Sequence, residues 1–167
     1  MSLFKTSLII FLLSFNLFAK ENILNKSTVL NEVYFLPSEA KKTKENILYL
    51  IKNSKKNISI AMYNFSYKKF AKQLVLSSKN GIDIKIILDK SKVQKDNKLY
   101  KYFKKNGINV KIADKKLHTK VAVFDERIAV LGSINWTKES FKDNYEIVLF
   151  TKDKKTISKM LNFMEKF

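Results

Sequence analysis

With 167 residues, 46% of them hydrophobic and none of them cysteine, the chain has material for one domain with a core of its own, which excludes a disulfide-stapled scaffold and removes any need for a structural metal. The formal charge of +18 at pH 7, from 33 Lys and Arg against 15 Asp and Glu, favours polyanionic partners, either nucleic acid or an anionic membrane surface. Arg127 is the single arginine, so the charge is carried by point-like ammonium groups, and pairs such as Lys55-Lys56 and Lys104-Lys105 read equally as solvated helix faces.

The chain opens with the pattern of a secretory signal. Lys5 supplies a charged n-region, Leu8 to Phe18 an apolar stretch, and Ala19 a small residue before the polar turn at Lys20. Cleavage after Ala19 is expected, leaving a domain at 20–167 with a charge of +17, because Lys5 is the only charged residue removed. The expected product is exported, periplasmic or envelope-associated. The alternative is an uncleaved anchor through residues 8–19, although a membrane span needs about 20 apolar residues.

From residue 39 the apolar periodicity alternates between two kinds of segment. Residues 39–56 read as a helix with Ile47, Leu48 and Ile51 on one face, and NISIAMYNF, Asn57 to Phe65, as a buried strand. A helix over Lys68 to Lys79 buries Phe70, Leu74 and Val75 and stops at Asn80-Gly81, and the strand IDIKIILD, Ile82 to Asp89, follows. A shorter helix carries Leu99, Tyr102 and Phe103 on its apolar side, stops at Asn106-Gly107, and leads to a strand at Ile108 to Ile112. Leu117 to Asp125 and Ile128 to Leu131 then form an antiparallel hairpin turning near Glu126-Arg127. A loop at Asn135 to Lys142, a strand at Tyr145 to Phe150 and a helix at Lys154 to Phe167 complete the pattern. The order implies an α/β fold, one domain with a mixed β-sheet and helices packed on its faces.

The hairpin holds the only histidine, in LHTKVAVFDERIAVLGSINW, Leu117 to Trp136. Alternate strand residues share a face, so His118 and Lys120 point one way, while Leu117, Thr119, Val121, Val123 and Asp125 point the other. Gly132 permits close backbone approach, and Ser133 and Asn135 follow it two residues apart. One nucleophile or proton carrier, one fixed positive charge and two neutral donors together suit a phosphodiester. No metal site is expected, because a protonated lysine cannot ligate and no second histidine or cysteine exists. The plainer reading is an ordinary half-buried strand histidine, a surface lysine and a turn.

His118, Lys120, Asp125, Gly132, Ser133 and Asn135 match H-x-K-x4-D-x6-G-S-x-N at every specified position, and that pattern resembles the signature of the phospholipase D superfamily. From Val33 to Phe150 the chain is similar to the small single-motif bacterial nucleases of that superfamily, through VYFLP, SIAMYNFS, the Asn-Gly and Ile-rich strand, and NYEIV. Leu36 departs from it, standing where a small polar residue is more usual before the proline. The resemblance implies a mixed sheet flanked by helices on both faces and a reaction without metal or cofactor, in which one histidine attacks phosphorus and another protonates the leaving oxygen.

It also implies roles. His118 is the nucleophile, Lys120 and Asn135 hold nonbridging oxygens, Ser133 assists as a donor, and Glu146 orients His118 and fixes its tautomer. Asp125 and Gly132 are structural, Asp125 on the parity argument. One imidazole cannot be nucleophile and acid at once on opposite sides of phosphorus, so a homodimer that brings two His118 residues together is expected. Charge, compact size and the resemblance favour a nucleic acid substrate, with DNA before RNA. The alternatives are a phospholipase D at a membrane surface and a nonenzymatic DNA-binding protein. For the membrane reading, Trp136 and Phe141 are the candidate contacts, although packing against the sheet is the plainer expectation for Trp136.

Overall fold

The computed structural model describes residues 31–167; the expected leader at 1–19 and its cleavage point lie outside the described residues. In chain order the elements are β1 (Asn31–Leu36), α1 (Ala40–Asn53), β2 (Asn57–Met62), α2 (Lys68–Lys79), β3 (Asp83–Leu88), α3 (Lys90–Lys95), α4 (Lys98–Lys105), β4 (Asn109–Ile112), β5 (Lys120–Phe124), β6 (Ile128–Gly132), α5 (Lys138–Lys142), β7 (Glu146–Thr151) and α6 (Lys154–Met164). The strands form one mixed sheet in the order β1-β7-β6-β5-β2-β3-β4. The expected architecture, a mixed sheet with helices on both faces, is the one observed.

Strand β2 lies at the junction of two pairing styles, parallel to β3 and antiparallel to β5. A central strand is covered on both faces, so it reads as a continuous apolar run, and Ile58, Ile60, Ala61 and Met62 are all buried. The parallel half, β2-β3-β4, requires crossovers, which α2 and the α3–α4 pair supply. The antiparallel half needs only short turns between β5 and β6. There Asp125, Glu126 and Arg127 close the hairpin, with Asp125 and Glu126 at φ 51° and 56°.

One face is heavily covered. Trp136, buried to 1% exposure, meets the rings of Phe65 and Phe70, and Phe70 meets Phe141, while Phe103 of α4 packs on Phe65. The other face carries a smaller core in which Ile157 and Met164 of α6 meet Ala61, Ile87, Leu117, Val121, Val123 and Ala129. Cross-strand register places Val33, Leu149, Leu131 and Val121 in one row on that second face, and Phe35 and Ile147 in the next row. Among the described residues, helix α6 packs on β2 and β5 and leaves the β1–β7 flank open. Phe35 is 59% exposed, and Val33 and Ile147 are similarly uncovered.

Several elements differ from expectation. Strand β1 pairs antiparallel with β7 at the sheet edge and extends the expected six strands to seven. Helices α3 and α5, of 6 and 5 residues, stand where a connection and a loop were read; segments this short span fewer than two turns and leave no 3.6-residue periodicity to detect. Their N-caps explain them: the Asp89 carboxylate accepts from the Ser91 and Lys92 amides, and the Thr137 hydroxyl accepts from the Ser140 amide. In α1 the buried face uses Ile47, Leu50 and Ile51, and Leu48 is half-buried. Strand β5 begins at Lys120, so Leu117, His118 and Thr119 precede the ladder.

Candidate active site

His118 belongs to a short segment fixed on both sides by backbone hydrogen bonds. The Leu117 amide donates to Asp89 Oδ2 at 2.9 Å, and the Thr119 carbonyl accepts from the Tyr63 amide at 2.8 Å. Leu117 is buried in the α6-side core, which leaves His118 exposed. Its imidazole meets the Tyr63 ring edge-on, with centroids 4.6 Å apart. Lys120, first residue of β5, donates from Nζ to the His118 carbonyl at 3.1 Å and stands over the Tyr63 ring at 5.1 Å. Leu117, Val121 and Val123 share the α6-side core, as alternation along the strand requires.

The Asn135 amide oxygen accepts from the Asn64 backbone at 3.2 Å, which leaves its NH₂ end as the donor. The Trp136 amide donates to the Asn64 carbonyl, and the Trp136 carbonyl accepts from Ser66 and Tyr67. Residues Tyr63 and Asn64, just beyond β2, therefore clip both halves of the motif together: Tyr63 holds the His118 segment and Asn64 holds Asn135. Trp136 and Phe141 are buried in the aromatic cluster, so neither is placed to touch a membrane. Tyr145, the residue before Glu146, is 96% exposed.

Gly132 is where β6 presses against β7. A Cβ at this position would lie 2.0 Å from the Ile147 carbonyl oxygen. That approach lets the Ser133 amide donate to the Ile147 carbonyl at 3.1 Å and the Ser133 hydroxyl accept from the Ile147 amide at 3.1 Å. The same hydroxyl donates to the Glu146 carboxylate, which also accepts from Asn144 Nδ2 at 3.2 Å. Glu146, expected from the resemblance to orient His118, is thus engaged with Ser133 and Asn144 within this chain. The ring packed against His118 is Tyr63.

Asp125 lies at the far end of β5 from His118. Its carboxylate accepts from the backbone amides of Lys55, Lys56 and Asn57 at 2.8 to 3.2 Å. It joins the turn of the hairpin to the start of β2 and has no path to a ligand at His118.

The electrostatics of the site are set by ammonium groups. The Lys120 charge, with smaller contributions from Lys116 and Lys92, holds the His118 imidazolium below its usual pKa of 6.5, and Asp89 opposes them. Burial lowers Lys120 itself, while the Glu146 carboxylate pulls it back up. Asp89 is almost fully buried. Burial pushes its carboxyl up, but hydrogen bonds from Ser91, Leu117 and Lys92 outweigh that and leave it below the usual carboxylate range. Among the described residues no group of three or more His, Asp or Glu side chains is gathered as a metal site.

Tyr63, Asp89 and Lys92 were not singled out by sequence. The available signals were weak: a tyrosine one residue beyond a buried strand, and a carboxylate at the end of another, in ILDKSK.

Comparison with known proteins adds a family. Residues 47–167 match the family described as "Cardiolipin synthase, PLD-like domain". The human mitochondrial cardiolipin hydrolase is 24% identical over 112 residues, covering 66% of this chain and 44% of that protein. A phospholipase D of Rickettsia prowazekii is 28% identical over 111 residues, covering 65% of this chain and 54% of that protein. The chain thus spans about half the length of the curated relatives it matches. Among solved structures, NucT from Helicobacter pylori superposes with a TM-score of 0.73 at 29% identity, covering 81% of this chain and 93% of that one. Nuc from Salmonella typhimurium, a phospholipase D family member, superposes with a TM-score of 0.72 at 24% identity, covering 81% and 91%, a likeness of fold. With the family match running from mid-α1 to the last residue and the same fold in NucT and Nuc, the chain belongs to the phospholipase D superfamily.

Proposed function

We propose that this chain is a metal-independent endonuclease that hydrolyses phosphodiesters of DNA or RNA through a phosphohistidine, in a site shared by two copies. One observation carries the reading: a single exposed imidazole, whose charged form the surrounding ammonium groups disfavour, stands beside Lys120 with no second histidine in the chain. Neutral His118 attacks phosphorus, a P–N bond forms, and the P–O bond to the leaving oxygen breaks. The partner's His118, protonated, gives that oxygen its proton. Water then attacks phosphorus, the P–N bond breaks, and the now neutral partner imidazole accepts the water's proton. Lys120 and the NH₂ of Asn135 stabilise the nonbridging oxygens as charge shifts. Glu146 holds Ser133 in place at the rim.

The open flank supports the shared site. Phe35 and Ile147 lie in the cross-strand row that continues into Ser133, so the uncovered apolar surface begins where the site ends. A second copy seated there removes that surface from water and brings two such sites together.

Nucleic acid is favoured as substrate by the charge of +18 and by the likeness to NucT across 93% of its length. Hydrolysis of phospholipid headgroups is the second reading, favoured by the likeness to a cardiolipin hydrolase and a phospholipase D. The test offers fluorescent single- and double-stranded DNA, RNA, and phosphatidylcholine and cardiolipin vesicles to residues 20–167 in EDTA, with His118→Asn as control. Nucleic acid should be cut by the wild type alone. Lipid cleavage without nucleic acid cleavage reverses the substrate ranking, and activity lost to EDTA and restored by Mg²⁺ contradicts the metal-free mechanism.

A further inference from the structure

The motif accounts for one lysine at the site, and the structure places a second there. Lys92, in the first turn of α3, holds its ammonium 4.5 Å from the centroid of the Tyr63 ring, the ring that also carries Lys120 at 5.1 Å and meets His118 edge-on. Two ammonium groups on one aromatic ring repel each other, and a carboxylate partner would ordinarily relieve that. Among the described residues the ion pairs are Lys42 with Glu32 and Lys142 with Asp143, so neither Lys92 nor Lys120 has one. Asp89 takes the Lys92 backbone amide through its carboxylate rather than the ammonium.

The position of Lys92 is built. The buried Asp89 carboxylate caps α3 with one oxygen and holds the Leu117 amide with the other. One side chain therefore fixes both the turn that carries Lys92 and the segment that carries His118. The Tyr63 ring then seats the ammonium by cation–π attraction.

We propose that Lys92, seated on Tyr63, binds the phosphate adjacent to the scissile one, so that the site takes a strand of consecutive phosphodiesters, a nucleic acid backbone, in preference to an isolated diester. The scissile phosphate carries one negative charge and is met by Lys120. A further unpaired cation beside it is complementary to a substrate with a second charge next to the first. Its influence on His118 has the same origin, since Lys92 is among the ammonium groups that disfavour the imidazolium.

This inference rests on the phosphodiesterase reading, and the experiment separates the two. Wild type, Lys92→Gln and Lys92→Arg are compared on a single-stranded DNA oligonucleotide and on bis(p-nitrophenyl) phosphate, which has one diester and no neighbour. Lys92→Gln should lower the ratio of kcat/KM for the oligonucleotide to that for the lone diester by about tenfold, and Lys92→Arg should retain the ratio. The salt dependence of oligonucleotide binding should weaken by roughly 0.7 in log–log slope, the value for one phosphate contact on a single strand. A ratio unchanged by Lys92→Gln overturns the proposal. So does a loss seen only on cardiolipin vesicles, which assigns the second phosphate to a lipid. If the wild type cleaves neither diester, the phosphodiesterase reading fails instead. Oligonucleotide anisotropy with the His118→Asn protein, with and without Lys92→Gln, still decides the role of Lys92: equal affinities reject it.

Discussion

His118 stands exposed among Lys120, Lys116 and Lys92, and each of those charges disfavours its imidazolium. Because a raised proton-binding cost moves the midpoint down, the resonances of this single histidine should titrate below the 6.5 of an isolated imidazole. Replacing the exposed Lys116 with Gln should move the midpoint back up, because one of the charges that disfavour the imidazolium is removed. An NMR titration reads this directly, since no other histidine contributes a signal; a midpoint unmoved by Lys116→Gln contradicts the electrostatic account. The motif residues were legible in the sequence because they lie within eighteen residues of each other, His118 to Asn135, at a fixed spacing. Asp125, set apart from the ligand by strand parity in the sequence, sits in the turn beyond β5 with its carboxylate on the backbone of Lys55 to Asn57. Tyr63, Asp89 and Lys92 were not. They reach the site because β2 and β3 lie beside β5 in the sheet, an adjacency that no local spacing encodes.

At the level of elements, the β5–β6 hairpin positions the chemistry and Gly132 sets how closely β6 meets β7. A methyl group there collides with the Ile147 carbonyl, a backbone atom that cannot swing aside. Gly132→Ala should therefore destabilise the fold by about 2–4 kcal/mol, in the range of overpacked backbone sites. It should also disturb Ser133, whose amide and hydroxyl both depend on Ile147. Urea denaturation measures the first effect; stability within about 0.5 kcal/mol of wild type contradicts it. The long helices α1, α2 and α6 and the six expected strands were readable because burial imposes a period over enough residues. Helices α3 and α5 were not, since capping by Asp89 and Thr137 rather than periodicity makes them helical. Strand β1 was missed for a different reason: with Val33 and Phe35 exposed and Tyr34 and Leu36 buried, its apolar run shows no alternation between polar and apolar residues.

Two features are left unused by one copy: a single imidazole and, among the described residues, an apolar flank that no helix covers. The flank lies on the face where α6 covers β2 and β5 but not β1 and β7, beside the row that leads to Ser133. The proposed second copy would satisfy both; the count of histidines suggests it from sequence, whereas the surface needed the sheet order. On that reading His118 is half of a site. This is tested by allowing wild-type and His118→Asn chains to exchange subunits in equal amounts and measuring specific phosphodiesterase activity. A site that needs both imidazoles predicts activity at about a quarter of the wild-type value, because only dimers with two intact chains turn over. About half the wild-type value would show that each chain works alone and would contradict the account.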